Sequence, residues 1–286
     1  MYVKKPFWLK KKTILSKEVL STKKNLKYLG INTICQSALC PNLSECFSRG
    51  NASFLILGNH CTRNCRFCDV KHGKPDEIDI NEGKRIALFM EKNRIRYAVI
   101  TSVTRDDLAD GGADHFVRVV KDIREHLHSV VIELLVPDFK GREESIDTVL
   151  EADIEVLSHN VETVPRLYPE IRSGANYERT LRLLERAEEK GREGLIVKSG
   201  LMVGLGETEE ELVGVFRDLA SVGVEILTVG QYLRPSRENI EVSRYWSPEQ
   251  FDEITLKARE AGIEVIVAGP YVRSSYLAED AFLEVT

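Results

Sequence analysis

The stretch Phe54-Leu-Ile-Leu-Gly-Asn-His-Cys-Thr-Arg-Asn-Cys-Arg-Phe-Cys-Asp69 joins a short apolar run to a segment that contains three cysteines. A short, continuous apolar run such as Phe54–Leu57 is typical of a strand that is buried on both faces. Similar runs recur at Tyr97–Ser102, Val131–Val136, Ile154–Ser158, Leu195–Met202 and Ile226–Gly230. Runs of this kind predict a parallel sheet when amphipathic helices alternate with them.

Stretches with helical periodicity lie between these runs, for example Ala113–Leu127, Glu144–Glu151, Tyr177–Lys190 and Glu209–Val222. Because right-handed crossovers connect parallel strands, six such units are expected to curl into a barrel or partial barrel. The C-terminal part adds a predicted helix at Pro248–Ala261, a strand at Ile263–Ala268 and a tail. We therefore predict an α/β fold, a partial (β/α)6 TIM-like barrel of parallel strands with N- and C-terminal extensions. The expected division of this one compact unit is an N-terminal extension over residues 1–50, the barrel over 51–245 and a C-terminal segment over 246–286.

The composition restricts the possible partners and location. The chain has 286 residues, a formal net charge of −5 and 43% hydrophobic residues, which suffices for one barrel-sized core. The acidic balance argues against nucleic acid as the main partner, because phosphate binding needs a concentrated positive field. No stretch is long and apolar enough to span a bilayer. The basic segment Met1–Lys12 leads into no apolar signal core. We therefore expect a cytoplasmic protein without nucleic-acid or membrane partners.

All six cysteines lie between Cys35 and Cys68. A disulfide framework usually spreads over a small secreted domain, whereas clustered cysteines in a longer chain indicate metal binding or catalysis. The densest group is Cys61-x3-Cys65-x2-Cys68, which directly follows the first predicted strand. Loops after the strands of a parallel barrel form its functional face, so these thiols are expected at the barrel mouth.

Three thiolates at this spacing can hold an iron–sulfur cubane, because such clusters take soft sulfur ligands. Three ligands for four irons leave one iron open to a substrate or cofactor. The alternative is a zinc site, which usually takes four ligands. No fourth cysteine follows the three, and the six histidines show no metal-ligand pattern. The spacing therefore favours an iron–sulfur cluster.

This spacing, with Phe67 before the last cysteine, resembles the signature of the radical S-adenosylmethionine (SAM) enzymes. The resemblance implies that the cluster on Cys61, Cys65 and Cys68 is catalytic and binds SAM at its open iron. It implies that an electron from this cluster cleaves SAM to methionine and a 5′-deoxyadenosyl radical. Phe67 is accordingly assigned to the cofactor site.

A second group, Cys35-x4-Cys40-x5-Cys46, resembles the auxiliary-cluster motif of lipoyl synthases, and Arg273-Ser-Ser-Tyr276 resembles the serine motif that completes that cluster. The resemblance implies that the three thiols bind a second cluster with Ser275 as a fourth, catalytic ligand, since the family uses the second serine. Neighbouring side chains on an extended segment point to opposite sides, so one serine of the pair should reach iron. A serine oxygen suits iron–sulfur chemistry less than a thiolate does, which fits a cluster that comes apart. An ordinary turn or cap is the alternative for these serines.

Four further stretches resemble lipoyl synthase segments, in order and without a large gap: Ile100–Ala113, Ser158–Tyr168, Lys198–Glu207 and Gly230–Ser236. Each follows a predicted strand, so each should lie on the face that carries the clusters. We expect these stretches to contribute the side chains that bind SAM, namely Thr101, Asp107, Asn160, Glu162, Lys198 and Ser199. Loop capping and surface ion pairing are the alternative for each. Two positions depart from the family pattern without removing an essential group: Phe47 stands where tryptophan is common, and Leu277 where histidine often follows the tyrosine.

The resemblance also implies the reaction, which is insertion of two sulfur atoms at carbons 6 and 8 of a protein-bound octanoyl-lysine. The implied cofactors are two [4Fe–4S] clusters, one of them a sacrificial sulfur donor, with SAM as co-substrate. The implied partners are octanoylated lipoyl carrier domains, as in E2 subunits and the glycine cleavage H protein, and an electron donor such as flavodoxin or ferredoxin. Lys4, Lys5, Lys10, Lys11 and Lys12 are expected to steer acidic carriers, with a solvated tail as the alternative.

Other sulfur-inserting radical enzymes, such as methylthiotransferases and biotin-synthase-like enzymes, are the nearest alternative. They should lack the second cysteine group combined with Arg273–Tyr276. A non-catalytic metal protein, either a zinc scaffold or an electron carrier, is the more distant alternative.

Overall fold

The computed structural model describes residues 4–11 and 16–286. One sheet contains the eight strands of these residues, in chain order. They are β1 (Asn32–Thr33), β2 (Phe54–Ile56), β3 (Tyr97–Ser102), β4 (Val131–Leu135), β5 (Val156–Ser158), β6 (Ile196–Val203), β7 (Ile226–Gln231) and β8 (Val265–Gly269). Strand β1 is antiparallel to β2, and every later pair is parallel. Among the described strands, β8 does not pair with β1 or β2, so the barrel is partial, as predicted.

Helices connect the strands and cover the outside of the sheet. They are α1 (Lys17–Tyr28), α2 (Ile34–Ser37), α3 (Leu43–Ser48), α4 (Glu82–Asn93), α5 (Ala113–Arg124), α6 (Glu143–Leu150), α7 (Tyr168–Ile171), α8 (Tyr177–Lys190), α9 (Glu209–Ser221), α10 (Pro248–Glu260) and α11 (Ala278–Val285). Capping boxes begin α9 at Thr208 and α10 at Ser247, where side chain and backbone satisfy each other's free hydrogen-bonding groups. No helix in the described parts of the chain is both long and apolar enough to cross a membrane.

The six predicted strands are present, and β8 continues the parallel sheet as the strand predicted near the C-terminus. The segment from Asn32 to Gly50, for which the sequence patterns above predict no strand or helix, contains β1 and the short helices α2 and α3. Thr33 explains the start of α2, because its side chain accepts a hydrogen bond from the Gln36 amide. The expected division at residues 50 and 245 stays a prediction, and residues 1–3 and 12–15 of its first part lie outside the described residues.

A small apolar cluster fills the barrel interior where the strands begin. It consists of Val156, Ile196, Ile226 and Val265, the first residues of four strands, together with Ala281 of α11. The rings of Tyr97 and Phe282 meet edge to face, with centroids 5.8 Å apart. Helix α11 therefore closes the N-terminal end of the barrel, and the space available to a ligand lies toward the C-terminal ends of the strands.

Candidate functional site

The first cysteine group, Cys61, Cys65 and Cys68, lies in the loop that follows β2. Its three side chains line a cavity of about 170 Å³, which we call the cluster-loop cavity. Backbone bonds attach the loop to the body: the Cys61 amide donates to Lys71 O at 2.8 Å, and the Arg66 amide donates to Ile171 O at 2.9 Å. The three thiols of this closely spaced motif therefore surround one space at the barrel mouth.

The backbone entering this loop is held in an unusual conformation. Leu57 has a φ of +66°, which is uncommon for a residue with a side chain. The Glu82 carboxylate accepts a hydrogen bond from the Leu57 amide at 2.9 Å, and Arg105 donates to the Leu57 carbonyl at 3.2 Å. Surrounding contacts therefore fix the turn from which the cysteine loop begins.

Arg63, between the first two cysteines, ties the loop to two neighbouring segments. Its guanidinium pairs with Asp106 at 2.8 Å and with Asp138 at 2.7 Å. Burial alone would raise the pKa of Asp138, but the Arg63 guanidinium holds it well below its usual range. Asp138 is therefore ionised at neutral pH and anchors the loop by charge.

Burial raises the pKa of Cys65 to about 11 and that of Cys68 to about 12. These free thiols are therefore protonated at neutral pH. Thiolate is the form that binds metal, so loading this site must release protons and depends on pH.

The second cysteine group, Cys35, Cys40 and Cys46, lies on and between the short helices α2 and α3. Together with Ser275 it lines a cavity of about 150 Å³, which we call the auxiliary cavity. Burial raises the pKa of Cys35 to about 11 and that of Cys46 to about 12. The C-terminal serine motif and the N-terminal cysteine motif, far apart in sequence, thus share one space.

The two serines of the motif have different partners. Ser274 Oγ accepts a hydrogen bond from Asn160 Nδ2 at 2.8 Å, whereas Ser275 Oγ accepts one from Ser53 Oγ at 2.7 Å. Ser275 lines the auxiliary cavity, and Ser274 does not. Both serines lie in a turn and line the central cavity described below, and only Ser275 also lines the auxiliary cavity, so the choice of Ser275 as the ligand stays a prediction.

A larger cavity of about 480 Å³, here the central cavity, joins the two groups. This volume is within the usual range for small-molecule sites. Cys35, Cys40 and Ser275 line it on one side and Cys68 on the other. Apolar side chains line much of the wall between them: Val99, Leu135, Val136, Leu201, Met202 and Val272.

Four of the residues predicted to bind SAM line the central cavity: Phe67, Thr101, Asn160 and Glu162. Asp107, Lys198 and Ser199 are absent from the described lining. Asp107 pairs with Arg105 at 2.8 Å. The Ser199 hydroxyl donates to His159 O at 2.9 Å, and the Lys198 ammonium pairs with Glu133 at 2.8 Å. For all seven residues the assignment to SAM stays a prediction.

Two polar side chains on the wall of this cavity are Asn160 and Glu162. Asn160 Oδ1 is buried without a hydrogen-bond partner, although its amide nitrogen donates to Glu162 at 3.0 Å. Burial raises the pKa of Glu162, although the nearby Arg172 guanidinium opposes the shift. A buried oxygen without a partner costs free energy, so this wall is suited to a ligand that donates hydrogen bonds.

His159 and Arg172 also line the central cavity, and sequence reasoning did not select either. Burial lowers the pKa of His159 to about 4, so its ring is neutral at physiological pH. Nδ1 faces the Val136 carbonyl at 2.8 Å and must donate, which leaves Nε2 to accept from Arg172 at 3.3 Å. The neutral ring thereby orients a guanidinium at the cavity wall.

The donor chemistry fits the implied cofactors. All six cysteines are free, in two sets of three. No three His, Cys, Asp or Glu side chains within residues 4–11 and 16–286 could hold a metal ion between them. Ligands of an iron–sulfur cluster reach different irons, so they surround a volume rather than a point. Each thiol set borders such a volume, and Asn160, whose buried side-chain oxygen has no partner, lines the central cavity between them.

Comparison with known proteins supplies independent information. Residues 55–219 match the model of the radical SAM superfamily. The chain is 50% identical over 280 residues to a lipoyl synthase of Caldicellulosiruptor saccharolyticus, covering 98% of both chains. It is 49% identical over 279 residues to a lipoyl synthase of Caldanaerobacter subterraneus, covering 98% of this chain and 97% of that protein.

Solved structures share the fold at low sequence identity. HydG, a maturase of the [FeFe]-hydrogenase, superposes with a TM-score of 0.62 at 17% identity, covering 95% of this chain and 67% of HydG. Methylornithine synthase superposes with a TM-score of 0.55 at 13% identity, covering 90% of this chain and 86% of that enzyme. These two likenesses concern the fold alone.

Proposed function

The chain belongs to the lipoyl synthase family of radical SAM enzymes, and on this premise we propose the roles of its residues. Its activity is the radical-mediated insertion of two sulfur atoms at carbons 6 and 8 of a protein-bound octanoyl-lysine, with SAM and two [4Fe–4S] clusters. It acts on lipoyl carrier proteins. The relatives named above favour this activity over the methylthiotransferase and biotin-synthase-like alternatives.

The first cysteine group would hold one cluster, and the second group with Ser275 would hold the other. When bound, the cluster of the first group would supply the electron that cleaves SAM, and the auxiliary cluster would supply the sulfur that is inserted. The observation that carries this assignment is the central cavity, which Cys68 borders on one side and Cys35, Cys40 and Ser275 border on the other. A substrate carbon in this cavity would be within the same enclosed space as both sites.

The chain's own side chains would bind and orient the two substrates. Phe67, Asn160 and Glu162 line the central cavity with a ring, an amide whose oxygen has no partner and a partly buried carboxyl, which suit the polar groups of SAM. The apolar wall formed by Leu135, Leu201 and their neighbours suits an alkyl chain, since burying methylene groups is favourable by about 0.8 kcal/mol each. The apolar wall also excludes water from reactive species.

The carriers are proposed to be E2 subunits and the glycine cleavage H protein, with flavodoxin or ferredoxin as electron donor. Lys5 lines the central cavity, so a basic N-terminal segment borders the place where a carrier would present its lysine. Lys11 pairs with Glu45 at 2.8 Å and lies over the Tyr271 ring, so it serves the fold as well. Lys12 lies outside the described residues.

Six free thiols fit a reducing compartment, which supports a cytoplasmic location. Steering by Lys4, Lys5 and Lys10 is tested by replacing all three with alanine. The rate with an acidic carrier at low salt should fall, whereas Lys121→Ala, an exposed control on α5, should leave it unchanged. Equal rates for the triple variant and the control would refute steering.

A single-turnover experiment tests the division of labour between the two groups. Anaerobically reconstituted protein, dithionite, SAM and an octanoyl-lysine peptide should give first the mono-thiolated and then the di-thiolated peptide by mass spectrometry. Cys35→Ala should abolish thiolation but retain SAM cleavage, whereas Cys65→Ala should abolish both. Thiolation that survives Cys35→Ala would contradict the assigned sulfur source.

A further inference from the structure

Ser53, which directly precedes β2, was not among the predicted site residues, yet it lies between the second cysteine group and Ser275. It is 6% exposed. Its hydroxyl donates a hydrogen bond to Ser275 Oγ at 2.7 Å. Ser53 also lines the auxiliary cavity together with the three thiols of the second cysteine group. One small side chain thus bonds to Ser275 and borders the space that the other proposed ligands share.

The position of Ser53 is fixed by the sheet. The next residue, Phe54, is paired with Thr33 of β1, and the Ser53 carbonyl accepts from the Ile34 amide at 3.1 Å. Ser275 instead lies in the turn between β8 and α11. Groups on sheet elements are placed more accurately than groups on loops. The hydrogen bond from Ser53 therefore fixes the position of the Ser275 side chain relative to the sheet.

Ser53 and Ser275 both line the auxiliary cavity and the central cavity, so they lie at the boundary between the two. A serine side chain has three staggered rotamers, and the hydrogen bond selects one for Ser275. A serine that binds iron as an alkoxide has lost its hydroxyl proton, so its Oγ can accept hydrogen bonds but cannot donate one. The Ser53 hydroxyl must then be the donor, and hydrogen bonds to a charged oxygen are about twice as strong as neutral ones.

We propose that Ser53 is a positioning residue whose hydroxyl holds Ser275 Oγ toward the three thiols of the second cysteine group and slows its release. The inference rests on the proposed function, since it requires Ser275 to bind the auxiliary cluster. Ser53 donates to the ligand and is not itself a ligand.

Iron release from the full chain tests the proposal without an activity assay. The parent carries Cys61→Ala, Cys65→Ala and Cys68→Ala, so that the second group alone is loaded anaerobically. Iron per chain and the rate of transfer of the first iron to a ferrous chelator are measured. Ser53→Ala should bind the same iron but release the first iron roughly tenfold to a hundredfold faster, the range for a lost hydrogen bond to a charged group.

Two further variants separate positioning from general damage. Ser53→Thr keeps the hydroxyl and should release iron within about threefold of the parent, a range that allows for a shifted methyl-bearing side chain. Ser221→Ala, an exposed serine on α9, is the matched control and should equal the parent. In a Ser275→Ala background, Ser53→Ala should have no further effect, because its partner is absent.

Unchanged release in Ser53→Ala would overturn the proposal. So would an equal acceleration in the Ser275→Ala background, because Ser53 would then act through a group other than Ser275. If the parent retains no iron at all, or if Ser275→Ala releases iron as slowly as the parent, the proposed ligand set itself fails. The two failures are therefore distinguishable.

Discussion

Replacing Lys198 by methionine should leave the Glu133 carboxylate buried inside the barrel without its ion-pair partner. Lys198 Nζ pairs with Glu133 Oε2 at 2.8 Å, and both side chains are fully buried. The Tyr97 hydroxyl donates to the same oxygen at 2.7 Å, whereas Glu133 Oε1 has no partner. Methionine has a similar volume but leaves Glu133 with a single hydrogen bond.

The expected cost follows from this environment. Removing one partner of a buried ion pair costs about 3–5 kcal/mol, because the other charge stays buried without compensation. The bond from Tyr97 remains, so we expect a loss near 3 kcal/mol in the free energy of unfolding. The double variant Lys198→Met/Glu133→Leu should recover most of this loss, because apolar replacement of a whole buried pair is often neutral.

Urea denaturation of the cluster-free chain, followed by circular dichroism, measures these differences from the midpoint and slope. Lys257→Met is the control, because Lys257 pairs with Glu209 at 2.7 Å at a surface site where both side chains are more than a third exposed. Lys257→Met should lower the free energy of unfolding by less than about 1 kcal/mol. Equal costs for Lys198→Met and Lys257→Met, or no recovery in the double variant, would refute the reasoning.

The same double variant tests the predicted contact of Lys198 with SAM. If Lys198 has only a structural role, the reconstituted double variant should bind SAM about as tightly as the wild type, because the ion pair has been replaced as a whole. A direct contact predicts weaker SAM binding in the double variant despite its recovered stability.

Three further substitutions test the cavity wall, the buried histidine and the buried aspartate. A Cβ at Gly200 would clash with Thr228 Oγ1 and lie 2.9 Å from Asn160 Oδ1, and all three residues line the central cavity. Gly200→Ala should therefore displace this wall and weaken SAM binding at least about tenfold in a titration. Gly214→Ala, with open space around its Cβ, should not. Burial lowers the pKa of His159 to about 4. Between the unfolded value of about 6.5 and pH 4, the unfolded chain binds a proton that the folded chain does not, so the free energy of unfolding should fall by about 3 kcal/mol as the pH falls. His159→Gln should flatten this part of the pH profile, and an unaltered profile would contradict the assignment. Asp138→Asn should lower the free energy of unfolding by roughly 3 kcal/mol above pH ~4 and by progressively less below it, because the carboxyl pKa is depressed in the folded state. A loss of stability that does not change with pH in acid denaturation curves would be inconsistent with that ion pair.

The strand pattern and the spacing of both cysteine groups can be read from the amino-acid sequence alone. Parallel strands are buried on both faces, so their apolar runs stand out, as at Tyr97–Ser102, which matches β3 residue for residue. The helix at Glu82–Asn93 was not among the helical stretches given as examples, although Ile86, Phe89 and Met90 repeat at helical intervals, so the same signal identifies it. The ligand spacing is local, because three cysteines on one loop stay close in any fold.

Which side chains from distant segments meet depends on the folded arrangement of the whole chain. Ser53 and Ser275 are separated by 222 residues, and nothing in either segment specifies the other. Lys198 belongs to a stretch that resembles a cofactor-binding segment, yet the strand register directs its side chain to Glu133 rather than to the central cavity. Side-chain direction alternates along a strand, and what it meets depends on the strands opposite. Composition and spacing fix what a segment is able to bind, whereas the register and curvature of the whole sheet fix what it faces.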